Sequence, residues 1–98
     1  MDTFDAELEE LKQKYQQTIG QKLSRIQELI EAAKTQESST ALRQEVHKIA
    51  GNAALYGYPE AGELCKAMDV TLQQNTKVSE ESLDTFYQQL TRAFLEIK

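Results

Sequence analysis

Thr40-Ala41-Leu42-Arg43-Gln44-Glu45-Val46-His47-Lys48-Ile49-Ala50-Gly51-Asn52-Ala53-Ala54-Leu55-Tyr56-Gly57-Tyr58-Pro59 decides the fold. Leu42, Val46, Ile49, Ala53 and Tyr56 recur in steps of three and four, the period of a helix with one buried face. Gly57 reads as the glycine just past a helix end, and Pro59 suits the first turn of the next helix. A connection this short folds the two helices into an antiparallel hairpin.

The pattern continues on both sides. Downstream, Ala61, Leu64, Cys65, Met68 and Leu72 form another stripe, followed by the polar run Gln73–Lys77. Ser79 reads as the N-cap of a last helix, with Glu80 and Glu81 in its first turn. That helix carries Leu83, Phe86, Leu90, Ala93, Phe94 and Ile97. Upstream, Phe4, Leu8, Leu11, Tyr15, Ile19, Leu23, Ile26, Ile30 and Ala33 make one long stripe. It reads as a single helix or as two stacked ones, with a bend expected at Gly20. The polar stretch Thr35–Thr40 then offers serines and a threonine as N-caps. The expected fold is all-α: an antiparallel up-and-down four-helix bundle, first helix long or split in two. Residues 1–98 are expected to form a single domain.

Composition removes several function classes. The formal charge of −5 gives no positive footprint for nucleic acid or an anionic membrane surface. No apolar run exceeds the four residues Ala53–Tyr56, so no membrane span is expected. The acidic start lacks the segments of a signal peptide, and Cys65 is alone. A cytoplasmic protein is expected. The initiating Met and compact ends suggest a stand-alone chain.

The single histidine stands off the core. At 100° per residue, His47 points about 130° away from the Leu42–Tyr56 stripe. Gly51 lies one turn further along the same exposed face. A glycine inside a helix costs about 1 kcal/mol relative to alanine. On this face it has no neighbouring helix to approach, so it reads as clearance for a partner. Thr40, Arg43 and Gln44 come one or two turns before His47, with Lys48 beside it. Ala54 and Leu55 continue the outward strip, and Leu55 offers an apolar contact.

The run His47-Lys48-Ile49-Ala50-Gly51-Asn52-Ala53-Ala54-Leu55-Tyr56-Gly57 resembles the signature of histidine phosphotransfer (HPt) domains. His47, Ile49, Gly51, Asn52, Ala53 and Gly57 match it. Ala50 departs, because the family usually carries a basic residue there, one thought to help neutralise the phosphoryl group. Arg43 and Lys48 are the nearest candidates to substitute.

The resemblance implies a helical bundle with the histidine exposed partway along a helix. It implies that His47 accepts a phosphoryl group, through Nε2, from a phospho-aspartate and hands it to another aspartate. Thr40, Arg43, Gln44, Lys48, Gly51, Ala54 and Leu55 would rim the partner's approach. The implied partners are response-regulator receiver domains and hybrid sensor histidine kinases. The chain would have no cofactor of its own and would not be an enzyme: Mg²⁺ and catalysis would come from the receiver. A neutral imidazole suits this chemistry, since an unperturbed histidine titrates near pH ~6.5. Phosphoryl transfer then depends mainly on positioning and charge neutralisation.

Other readings are weaker. One His and one Cys on different helical faces do not make a zinc site. Gly51–Gly57 lacks the ending of a P-loop, and nothing resembles a nucleophile elbow. Cys65 reads as a core filler, and Tyr15, Tyr56, Tyr58 and Tyr87 as packing residues. Asp5, Glu7, Glu9 and Glu10 read as a solvated face near a helix N-terminus. The main alternative function is a helical adaptor that binds a receiver or kinase without being phosphorylated, and Ala50 motivates it. A histidine-kinase dimerisation domain would need two chains to complete its bundle, whereas this pattern predicts a self-sufficient monomer.

Overall fold

A computed structural model of the chain describes residues 3–35, 39–74 and 78–95. Among these residues there are five helices and no strand: α1 (Thr3–Gln17), α2 (Ile19–Thr35), α3 (Thr40–Asn52), α4 (Pro59–Gln74) and α5 (Glu80–Leu95). Ile97 and the polar stretches 36–38 and 75–77 lie outside the described residues.

The described helices number five because the long upstream stripe is split in two, one of the two forms expected for it. The break falls at Thr18, not at Gly20. The Thr18 hydroxyl donates to the Tyr15 carbonyl at 2.8 Å, and its backbone N–H donates to the same oxygen at 3.0 Å. A side chain competing for a helix carbonyl in this way tightens the turn and ends the regular ladder. Helicity resumes at once, with Lys22 N–H bonded to the Thr18 carbonyl at 3.0 Å. Gly20 lies inside α2 and is exposed.

α2, α3, α4 and α5 pack in a ring, each against the next, with α5 closing onto α2. Their inward faces form the core. Ile26, Leu42, Val46, Ile49, Cys65 and Leu90 are the largest fully buried side chains. Truncating one such leucine to alanine typically costs about 2–5 kcal/mol.

α1 is different, because it touches the rest mainly through its last turn. Tyr15 is buried, the one such residue among those of α1 whose burial is described, and it is stacked on Tyr56 with ring centroids 4.6 Å apart and tilted against Tyr58 and Phe94. Its hydroxyl donates to Asn52 Oδ1 at 3.0 Å, and Lys22 Nζ sits 4.3 Å above the ring. Phe4 and Leu11, expected to be buried with the rest of that stripe, are 69% and 47% exposed. The molecule is 50 Å long, and residues 3–35 in one line would span about 50 Å. α1 therefore continues the course of α2 past the end of the ring.

α3 also ends earlier than its apolar stripe. Residues 53–57 form a tighter turn rather than regular helix. Tyr56 N–H bonds to the Ala53 carbonyl at 3.1 Å, a three-residue step. The turn closes as a Schellman motif: Tyr58 N–H to the Ala53 carbonyl at 2.9 Å, and Gly57 N–H to the Ala54 carbonyl at 3.1 Å. Gly57 sits at φ +100°, where L side chains are strained. Pro59 then opens α4. Ser79 caps α5, its Oγ accepting from the Ser82 N–H at 3.1 Å. Ser39 occupies the equivalent place before α3 but makes no side-chain cap.

Candidate functional site

The hairpin of α3 and α4 places His47 opposite Asp69. Gly62 packs against the end of α3: a Cβ built on it would stand 3.6 Å from the Ala54 backbone nitrogen and 3.7 Å from Ala53 Cβ, ordinary van der Waals contact. One end of α4 thus lies against the end of α3. Two turns further along α4, Asp69 reaches α3 at the level of His47.

Asp69 Oδ2 lies 2.8 Å from His47 Nδ1. An ionised carboxylate can only accept, so Nδ1 carries the proton and Nε2 keeps its lone pair. The His47 side chain is 73% exposed, while that of Asp69 is only 10% exposed. The acid sits between the two helices and the imidazole stands outside them. Arg43 Nε approaches Asp69 Oδ1 at 3.5 Å, and Gln73 Nε2 donates to the same oxygen at 3.4 Å. The hydrogen bond from His47 is the main force holding the Asp69 carboxyl below the usual aspartate range. Burial opposes it, while the charge of His47 when protonated, the Gln73 amide and the Arg43 guanidinium assist.

The rim residues named from sequence fall into groups. Arg43, Gln44, His47 and Lys48 line an open recess of about 400 Å³. Thr40 is exposed in the first turn of α3. Gly51 is exposed one turn beyond His47, and a Cβ built on it meets no atom within 4 Å. Ala54 and Leu55 are exposed in the turn after α3, with Leu55 at 60%. Lys48 is 72% exposed and lies 3.8 Å from Glu45. Ala50 is half-buried against the core.

Sequence reading missed Asp69 and Gln73. The signal was present: Ala61, Cys65 and Asp69 are spaced by fours along α4, so an acid continues an apolar line. A carboxylate there needs a donor from the neighbouring helix.

Cys65 is fully buried, and burial pushes its thiol up to about 12, which leaves it inert. Among the described residues no group of three or more His, Cys, Asp and Glu side chains is placed to hold a metal ion. No described helix is long and apolar enough to cross a membrane.

Residues 6–97 match the family described as Hpt domain, nearly the whole chain. The chain belongs to the Hpt domain family. No curated protein and no solved structure matches it significantly. Hpt domains are helical modules of histidine phosphotransfer in phosphorelays, and they interact there with receiver domains and kinases.

Proposed function

We propose that this Hpt domain carries a phosphoryl group on His47 between aspartates of receiver domains in a two-component phosphorelay. The observation that carries the reading is the exposed imidazole whose Nδ1 is held by a buried carboxylate. Nε2 is left as the nucleophile, and Gly51 adds no side chain to the exposed helix surface one turn away.

In the forward step, the Nε2 lone pair attacks the phosphorus of a receiver's phospho-aspartate. The N–P bond forms and the P–O bond to the aspartyl group breaks, its electron pair leaving on the carboxylate. Nδ1 keeps its proton throughout, so the ring gains positive charge. Asp69 lies 2.8 Å away to balance it. Transfer to the next aspartate is the reverse of this step.

Arg43 and Lys48, which share the recess with His47, supply the positive charge that position 50 lacks. Mg²⁺ and the acids that bind it belong to the receiver, and the chain is inert alone. Receiver domains and hybrid sensor kinases in the cytoplasm are the partners. The ring of α2–α5 serves as the antiparallel four-helix bundle, since short connections between packed neighbours reverse the chain.

Ala50 supports a second reading, an adaptor that docks without being phosphorylated. Its half-buried methyl offers no charge to a phosphoryl group. One experiment separates the two. Phosphorylated receiver domains are incubated with the wild-type chain and with His47→Gln. The carrier reading expects label on wild type only, stable in alkali and lost in acid. Equal receiver binding by both proteins with no label on either supports the adaptor. Equal labelling of both contradicts the carrier.

A further inference from the structure

α1 presents an apolar face that the other described residues do not cover. Phe4, Leu8, Leu11 and Tyr15 fall within an arc of about 60° at 100° per residue. Only Tyr15 is buried, and Leu8 is half-buried. Phe4 and Leu11 are 69% and 47% exposed, although they share that face. At the same end of the molecule Leu95 is 63% exposed, next to Phe94 of the Tyr15 aromatic group. Scattered single exposed apolar residues are ordinary, but a helical stripe carried past the end of a bundle is not.

The charges beside the stripe indicate what covers it. The spacing of four, three and four is that of alternating d and a positions, with Phe4 and Leu11 at d and Leu8 and Tyr15 at a. Asp5 and Lys12 then occupy e positions, and Glu7 and Lys14 occupy g positions. When two such helices pair antiparallel, a faces d′, e faces e′ and g faces g′. Leu8 meets Leu11 of the second copy, and Phe4 meets the second copy's Tyr15 end. In the same register Asp5 faces Lys12, and Glu7 faces Lys14. All four charged positions meet the opposite sign, and each contact occurs twice by symmetry.

We infer that α1 is a homodimerisation element, pairing antiparallel with α1 of a second copy of this chain. Lys14, which lies 3.3 Å from Glu10 of its own helix, shares its charge with the second copy's Glu7. The antiparallel sense also sets the two bundles at opposite ends of the pair. A parallel pair would put them side by side and keep only the Glu7–Lys12 match. Each chain already closes its own ring of four helices, so the pairing adds an interface without completing a bundle. The inference does not depend on His47, and it replaces the monomer expected from the sequence.

Sedimentation equilibrium on the full chain tests it. The mass is expected to rise reversibly with concentration from one chain to two. Leu11→Lys should weaken association roughly tenfold or more, since it removes a buried leucine from both halves of the interface. Its far-ultraviolet circular dichroism should stay unchanged. Lys12→Glu/Lys14→Glu and Asp5→Lys/Glu7→Lys should each be monomeric alone and should associate when mixed. Leu8→Cys mixed with Leu11→Cys should cross-link on mild oxidation faster than either variant alone. A single-chain mass at every concentration overturns the inference. So does association that Leu11→Lys leaves unchanged, or cross-linking confined to like variants.

Discussion

Asp69 Oδ2 accepts a hydrogen bond from His47 Nδ1 at 2.8 Å, across the seam between α4 and α3. One partner is buried and the other is in water. That asymmetry assigns their roles. The acid fixes the tautomer and orientation of the ring, and the ring presents Nε2 outward.

Removing the acid should slow transfer without preventing docking. A hydrogen bond to a charged group contributes about 1.5–3 kcal/mol. Asp69→Ala is therefore expected to lower the phosphotransfer rate on the order of tenfold or more. Receiver affinity should be unchanged. Single-turnover transfer, measured beside titration calorimetry, reads the two quantities separately.

The same pair gives a pH signature in stability. Asp69 titrates lower in the folded chain than in the unfolded one, so it binds a proton less readily when folded. Its contribution is fully present above the unfolded value, about 3.9, and is lost as pH falls through the depressed folded value. Urea melts of wild type and Asp69→Asn should differ at neutral pH. The difference should shrink in the most acidic part of the range.

Gly51 separates stability from function. A Cβ there meets open space, so Gly51→Ala should stabilise α3 by about 1 kcal/mol and raise the melting temperature by roughly 4–8 °C. Gly51→Leu should keep the fold but reduce transfer from a receiver sharply, because its side chain occupies the approach to the imidazole. A bulky residue that leaves transfer unaffected would remove the clearance role.

Gly57 should behave in the opposite way. Its φ of +100° is unfavourable for any residue with a Cβ. Gly57→Ala is expected to destabilise the chain by about 1–2 kcal/mol, even though space is free around it. Thermal unfolding of the two glycine variants side by side checks both signs.

These contrasts show what could be read from the residues. Periodicity located the helical segments, and the phase of Leu42, Val46 and Ile49 placed His47 outward, where it lies. Gly57 and Pro59 marked the turn because their backbone constraints are local. The break at Thr18 was not legible, because a hydroxyl bonding to its own helix leaves no periodic trace. The exposure of Phe4 and Leu11 was hidden for a related reason. Amphipathic spacing shows that a face is apolar, not whether the rest of the chain reaches it. Asp69 depended on a pairing between residues 22 positions apart, which only the α3–α4 packing brings together.

The position of the phosphoryl group tests the central claim most directly. After labelling by a phosphorylated receiver, ¹⁵N and ³¹P magnetic resonance of the chain locates the N–P bond. The bond is expected on Nε2 of His47, with Nδ1 still protonated. A phosphoryl group on Nδ1, or on any residue other than His47, would contradict the account.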